Sequence, residues 1–170
     1  MLLRRLRLGR RVEDAAPSGF RLRPLEETRL NRRGLAAGTP APDFELPDLE
    51  GKVWSLRDFS GRRILLVFTA PDCVPCDDLA PDLVALHDRE SAALEVLMIV
   101  RGDLEENRAK ASAHGFRFPV LVQRGWQVSK RYARFATPVA YVIDERGDLA
   151  TGVAPGAPAI RQLIAAEEQR

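Results

Sequence analysis

Apolar positions from residue 39 onward follow two periods. Short runs that alternate, or that carry no polar break, read as strands, and stretches with spacing near 3.6 read as helices. Phe44-Glu45-Leu46 and Val53-Trp54-Ser55-Leu56 flank Pro47-Asp48-Leu49-Glu50-Gly51-Lys52, which predicts a β-hairpin. Residues 64–68 are five apolar residues bounded by Gly61 and Pro71 and predict a buried strand. From Cys73 or Cys76 to Arg89, Leu79, Leu83, Val84 and Leu86 mark the buried side of a helix, with Pro81 expected to kink or break it near its first turns. A second buried strand is expected over 94–100. A helix over 104–114 should follow, N-capped by Asp103 with Glu106 completing a capping box and Gly115 stopping it. The remaining pattern predicts a strand over 119–122, a helix over 127–135 and a strand over 139–143. A turn at 144–148, a last strand around 149–153 and a closing helix over 158–169 complete it.

Strands that alternate with helices and then end in a hairpin and a helix predict an α/β sandwich with a mixed central sheet. Pro17-Ser18-Gly19, Gly34, Gly38-Thr39-Pro40 and Pro42 punctuate the opening forty residues. They predict a partly irregular arm over 1–38 and a single domain over 39–170.

Charge sharpens that division. The arm holds ten arginines, no lysine and four acids, a net of +6, whereas the rest of the chain carries 16 basic and 20 acidic residues. A basic, solvated leader is expected, with no nucleic acid as partner, because Phe20 is its only aromatic residue and gives bases little to stack on. Residues 1–8 interleave leucine with arginine too often for a signal-peptide core, though a short basic amphipathic segment fits contact with an anionic membrane surface. No run of 18 apolar residues occurs. Without an export signal a cytoplasmic location is expected.

The most specific chemistry lies in the chain's two cysteines, Cys73 and Cys76, which frame Cys73-Val74-Pro75-Cys76 where a buried strand passes into a helix. A helix start offers unpaired N–H groups and the positive end of the dipole, and thiols so placed titrate at about 3.5–7.5. Pro75 suits a first turn, where its missing N–H costs nothing. One such pair supplies two metal ligands where a structural zinc site needs four, so no metal is expected. His87 reads as a helix-surface residue and His114 as a partner of a helix C-terminus. Trp54, Trp126 and Tyr141 read as core or rim residues, and Arg101-Gly102-Asp103 as a strand end with a helix cap.

The order of these features resembles the thioredoxin-like redoxins over roughly residues 38–168. Gly38-Thr39-Pro40-Ala41-Pro42-Asp43-Phe44 resembles their opening. The hairpin ending in Trp54-Ser55-Leu56, the strand with its Cys73–Cys76 motif, and Ala136-Thr137-Pro138-Val139 before Tyr141-Val142-Ile143-Asp144 continue the match. The branch most similar contains the TlpA, ResA and MauD-type thiol-disulfide oxidoreductases, some of which work in the periplasm or at a membrane. The resemblance implies a thioredoxin fold with an N-terminal hairpin. It further implies Cys73 as attacking thiol, Cys76 as resolving thiol, Thr137-Pro138 as a cis-proline loop that binds substrate, and Val74 and Pro75 as motif residues. No cofactor is implied; the partners are a protein disulfide client and a redox partner that renews the pair.

This chain also departs from thioredoxin. Val67 stands where thioredoxins carry a buried aspartate, Thr69 where an aromatic is usual, and Asp72 where tryptophan precedes the first cysteine. The change at Val67 removes a proton acceptor for Cys76, and Asp72 opposes a thiolate at Cys73. Two alternatives stay open. A peroxiredoxin-like thiol peroxidase would need a Thr-x-x-Cys pattern, which Pro71-Asp72 breaks, and an arginine such as Arg124 or Arg131. A non-enzymatic binding or maturation module for one client is the other.

Overall fold

The computed structural model describes residues 34–90 and 93–170. The basic arm expected over 1–38, including Phe20 and the amphipathic segment over 1–8, lies outside the described residues up to residue 33. At the start of the described chain, Leu35 packs against the core and its N–H donates to the Tyr141 hydroxyl at 3.2 Å.

The predicted hairpin forms as β1 (Glu45–Pro47) and β2 (Val53–Ser55), paired antiparallel with Leu46 opposite Trp54. Asp48 organises its turn, accepting from the N–H groups of Glu50 and Lys52 and from Trp54 Nε1. A single 3-10 turn, Leu56–Phe59, leads into β3 (Ile64–Thr69). There follow α1 (Val74–Glu90), β4 (Glu95–Val100), α2 (Leu104–His114), β5 (Val120–Val122), α3 (Gln127–Arg131), β6 (Val139–Ile143), β7 (Ala154–Pro155) and α4 (Gly156–Glu167). The central sheet runs β5-β4-β3-β6-β7, with β3, β4 and β5 parallel and β6 and β7 antiparallel to their neighbours. This is the mixed α/β sheet of the thioredoxin fold, with the N-terminal hairpin beside it.

Every residue of β3, β4 and β6 is buried, because both faces of the sheet are covered. Side chains alternate between two cores. Leu65 and Val67 face Leu79, Leu83 and Leu86 of α1 and Ile160 and Ile164 of α4, whereas Ile64, Leu66 and Phe68 face Phe44, Leu46, Phe59 and Tyr132. Uninterrupted apolar runs are therefore what this sheet requires.

Three elements differ from the sequence expectation. First, the break that Pro81 could have made in α1 does not occur, and the helix runs on to Glu90. Arg161 of α4 donates to the Asp78 backbone carbonyl at 2.7 Å and to the Asp82 carboxylate at 2.7 Å, one residue on each side of the proline. Second, α3 stops at Arg131 rather than 135, and Ala133 takes a positive φ of 54°. Third, the last strand is Ala154–Pro155, not 149–153. Ile143 faces Leu149 but Ala140 faces Ala154, so two extra residues bulge between those pairs. There the Thr151 hydroxyl accepts from the N–H of Val142 at 3.4 Å. The Asp103 cap forms, accepting from the N–H groups of Glu105 and Glu106, and Gly115 closes α2 in the left-handed region.

Candidate active site

Strand registers gather four loops at one edge of the sheet. Thr69, at the end of β3, lies opposite Val100, at the end of β4, and Val100 opposite Val122, at the end of β5. Phe68 lies opposite Val139, the first residue of antiparallel β6. The segments 70–73, 101–103 and 123–126 leave that edge, and Thr137-Pro138 enters it.

Cys73 occupies the cap position of α1. Its carbonyl accepts from the N–H groups of Cys76 at 2.9 Å and Asp77 at 3.2 Å. The two sulfurs form a disulfide with Cα atoms 5.2 Å apart, and a small cluster with Ala70 encloses it. Both cysteines are buried, Cys73 (8% exposed) slightly less so than Cys76 (3%), while Val74 stands 70% exposed beside them. Pro75 is exposed within the first turn, where no intrahelical bond needs its nitrogen.

The Thr137–Pro138 peptide bond is cis. Pro138 is buried and Thr137 half-buried, and the Pro138 carbonyl accepts from the N–H of Gly156 at 2.9 Å, which ties the loop to the start of α4.

Two charged groups shape the approach to the disulfide, and neither was legible in the sequence. Lys110, reaching over from α2, donates to the carbonyls of Ala70 at 3.0 Å and Pro71 at 3.3 Å and pairs with Asp77 at 2.7 Å. His114 Nε2 meets the same carboxylate at 3.2 Å, and its ring stacks on Phe116. The Lys110 ammonium holds the Asp77 carboxyl below the ordinary carboxylate range; burial opposes this and His114 adds to it. Helix α2 thereby clamps both the loop before Cys73 and the first turn after Cys76. On the other side, the Arg101 guanidinium lies over the Trp126 ring at 4.6 Å and 3.9 Å from the exposed carboxylate of Asp72. Trp126 in turn contacts Phe135 at 5.7 Å between ring centres. The sequence marked Trp126 as core or rim and Arg101 only as a strand end, because the contact joining them crosses between loops.

Other candidates lie elsewhere. Val67 is buried within β3, and Thr69 is buried at its end. His87 packs edge-on against Phe118 at 5.6 Å. Trp54 stacks on Phe59, and Tyr141 is fully buried, donating to the Tyr132 carbonyl at 2.8 Å. Arg124, just before α3, and Arg131, its last residue, are exposed. Among the described residues, no group of three or more His, Cys, Asp or Glu is arranged to hold a metal ion, and no helix is long and apolar enough to cross a membrane.

A thioredoxin-fold protein with a Cys-x-x-Cys disulfide at a helix start, and a cis-proline loop at the same sheet edge, is the class that fold and site define. The chain belongs to the AhpC/TSA family, whose model matches residues 37–151. It is 32% identical over 118 residues to the thiol-disulfide oxidoreductase ResA of Geobacillus thermodenitrificans (strain NG80-2), an alignment covering 68% of each chain. To the thioredoxin-like protein YneN of Bacillus subtilis (strain 168) it is 31% identical over 118 residues, covering 67% of this chain and 69% of that one. A Chlorobium tepidum structure designated a thiol:disulfide interchange protein DsbE superposes with a TM-score of 0.70 at 25% identity, covering 78% of this chain and 98% of the other. The fold is shared too by a secreted disulfide oxidoreductase of Mycobacterium tuberculosis, with a TM-score of 0.63 at 21% identity over 72% of this chain and 95% of that one. The homologues are thiol-disulfide oxidoreductases, in keeping with the ResA-type resemblance of the residues and with an oxidoreductase activity for this chain.

Proposed function

We propose that Cys73 is the attacking thiol and Cys76 the resolving thiol in disulfide exchange with a protein client. The observation that carries this reading is the disulfide itself, set at the cap of α1 with Cys73 the less buried of the two residues. In the reduced protein, unpaired N–H groups of the first turn favour a thiolate at Cys73. That thiolate attacks one sulfur of the client disulfide. A mixed disulfide forms, and the other client sulfur leaves as a thiolate that takes a proton from solvent. Cys76, deprotonated, then attacks the Cys73 sulfur and expels the second client thiolate. The client gains two electrons, and the protein is left with the Cys73–Cys76 disulfide. A dithiol partner renews the pair by the same two steps. Run in reverse, they pass the disulfide to a client dithiol.

Thr137 and Pro138 present backbone to an extended client segment, and Val74 and Pro75 form the rim it passes. The clamp by Lys110 holds the loop before Cys73 in place through both steps.

The test mixes reduced protein with a disulfide-bonded polypeptide, quenches with acid and reads alkylated thiols by mass. Two client thiols should appear for each Cys73–Cys76 disulfide formed. The same reduced protein is challenged with hydrogen peroxide. Rapid peroxide turnover without reduction of the polypeptide would transfer the assignment to a thiol peroxidase.

A further inference from the structure

Between Glu106 and Asp144 the chain holds seven lysines and arginines and no aspartate or glutamate. Three of the seven, Arg108, Lys110 and Arg117, are paired with acids from outside that stretch. The other four, Arg124, Lys130, Arg131 and Arg134, form no ion pair among the described residues. All four lie in the segment that runs from the end of β5 to the cis-proline loop. Arg101 joins them from the end of β4. Its guanidinium makes no hydrogen bond among the described residues, its Nε is buried without a partner, and the Asp72 carboxylate stands 3.9 Å away, beyond hydrogen-bonding distance.

The cation has a defined seat. Arg101 lies on Trp126, Trp126 leans on Phe135, and Phe135 is 36% exposed two residues before Thr137. Asp72–Arg101–Trp126–Phe135 is therefore a continuous row from the loop before Cys73 to the loop before Pro138. A chain that lies between the cis-proline loop and the loop before Cys73 runs in the same direction as this row. The row's aromatic part matches apolar side chains, and its guanidinium, which makes no hydrogen bond and only a long 3.9 Å ion pair with Asp72, matches a carboxylate in bidentate geometry.

We propose that this row is a docking surface for polypeptide clients that carry acidic residues beside the reacting cysteine. The proposal rests on the reading of Cys73–Cys76 as an exchanging pair. A polypeptide is the occupant because it brings both a sulfur to Cys73 and carboxylates to Arg101 and Arg124. The unpaired excess of positive charge steers such a client to the disulfide and disfavours a basic one.

Two peptides test it, identical except for aspartate or lysine on both sides of one cysteine, each presented as its symmetrical disulfide. The second-order rate with the reduced full-length protein is divided by that of the same peptide with dithiothreitol, which removes the peptide's own reactivity. The acid-flanked peptide should react about tenfold faster at low ionic strength, with the preference shrinking as salt rises. Arg101→Gln and Arg124→Gln should each cut that ratio about threefold, and Arg101→Glu should bring it to one or below. Equal corrected rates with wild-type protein overturn the proposal and leave the exchange reading intact; no reaction with either peptide overturns both. A tenfold change in the equilibrium constant with glutathione in Arg101→Gln, with the peptide ratio unmoved, would reassign Arg101 to the thiolate and overturn the docking role. So would a single-stranded oligonucleotide that blocks exchange at stoichiometric concentration while the peptides show no preference.

Discussion

Cys73 and Cys76 sit three positions apart, and the helix start makes them unequal. The cap position gives Cys73 access to unpaired N–H groups, while Cys76 lies a turn deeper and less exposed. Cys76→Ser should consequently accumulate a mixed disulfide through Cys73 when offered a disulfide peptide, and Cys73→Ser should trap none. Peptide mapping that finds the adduct on Cys76 in the wild-type protein would reverse the assigned roles. Asp77 gives a second prediction at this scale. Its folded-state pKa lies below the unfolded value, so its pairing with Lys110 stabilises fully above about pH 4 and is lost as pH falls through the folded value. Lys110→Met should be less stable than wild type at pH 7 by chemical denaturation, and the gap should narrow by pH 3. A gap that stays constant between those two pH values would mean that Lys110 acts through packing alone. The cysteine pair was legible from its spacing at a strand-to-helix junction, whereas the cis bond at Thr137–Pro138 was reached only through the resemblance to thioredoxin-like redoxins. Lys110, Asp77 and Arg101 were not legible, since their roles depend on how α2 and the loop after β4 lie against the disulfide, and no local pattern encodes that.

Among the elements, the loop between β4 and α2 is held to the active-site loop by a close approach. Gly102 has φ of +93°, and a Cβ placed there would lie 3.1 Å from Pro71 Cγ and 3.3 Å from Cδ. Both the backbone conformation and the contact exclude a side chain without movement of the loop before Cys73. Gly102→Ala should cost about 1–3 kcal/mol of stability. It should also slow exchange with a peptide disulfide, since Pro71 precedes Cys73 by two residues. An alanine variant with unchanged stability and rate would show that the two loops are not coupled. The hairpin, β3, β4, α2 and β6 could be read from periodicity because each carries a complete pattern and a recognisable boundary. The continuity of α1 through Pro81 could not, because the support comes from Arg161, roughly eighty residues on. Nor could the place of β7, whose pairing resumes only after the bulge at Thr151.

At the scale of the whole molecule, the sheet separates two cores, and the site lies where its strand ends meet. Tyr141 ties the second core together, donating to the buried Tyr132 carbonyl and accepting from the N–H of Leu35. Burial pushes its hydroxyl pKa up, which keeps it a donor throughout the working pH range. Tyr141→Phe leaves that carbonyl without its partner and should lower stability by about 1–3 kcal/mol. A loss below a few tenths would mean that the segment after α3 satisfies itself in another way. The mixed sheet and the hairpin were both apparent from the alternation of strand and helix patterns. The basic surface beside α3 was not, since net charge over the chain conceals it and only the ion pairs reveal which cations are left over. The account as a whole rests on Cys73 and Cys76 being a reversible dithiol–disulfide pair. Equilibrating the protein across glutathione redox buffers, with alkylation and intact mass as the readout, tests that directly. A single two-electron transition between two free thiols and one intramolecular disulfide, abolished in Cys73→Ser and in Cys76→Ser, is the predicted result. Glutathione adducts alone, with no intramolecular disulfide at any buffer ratio, would contradict it.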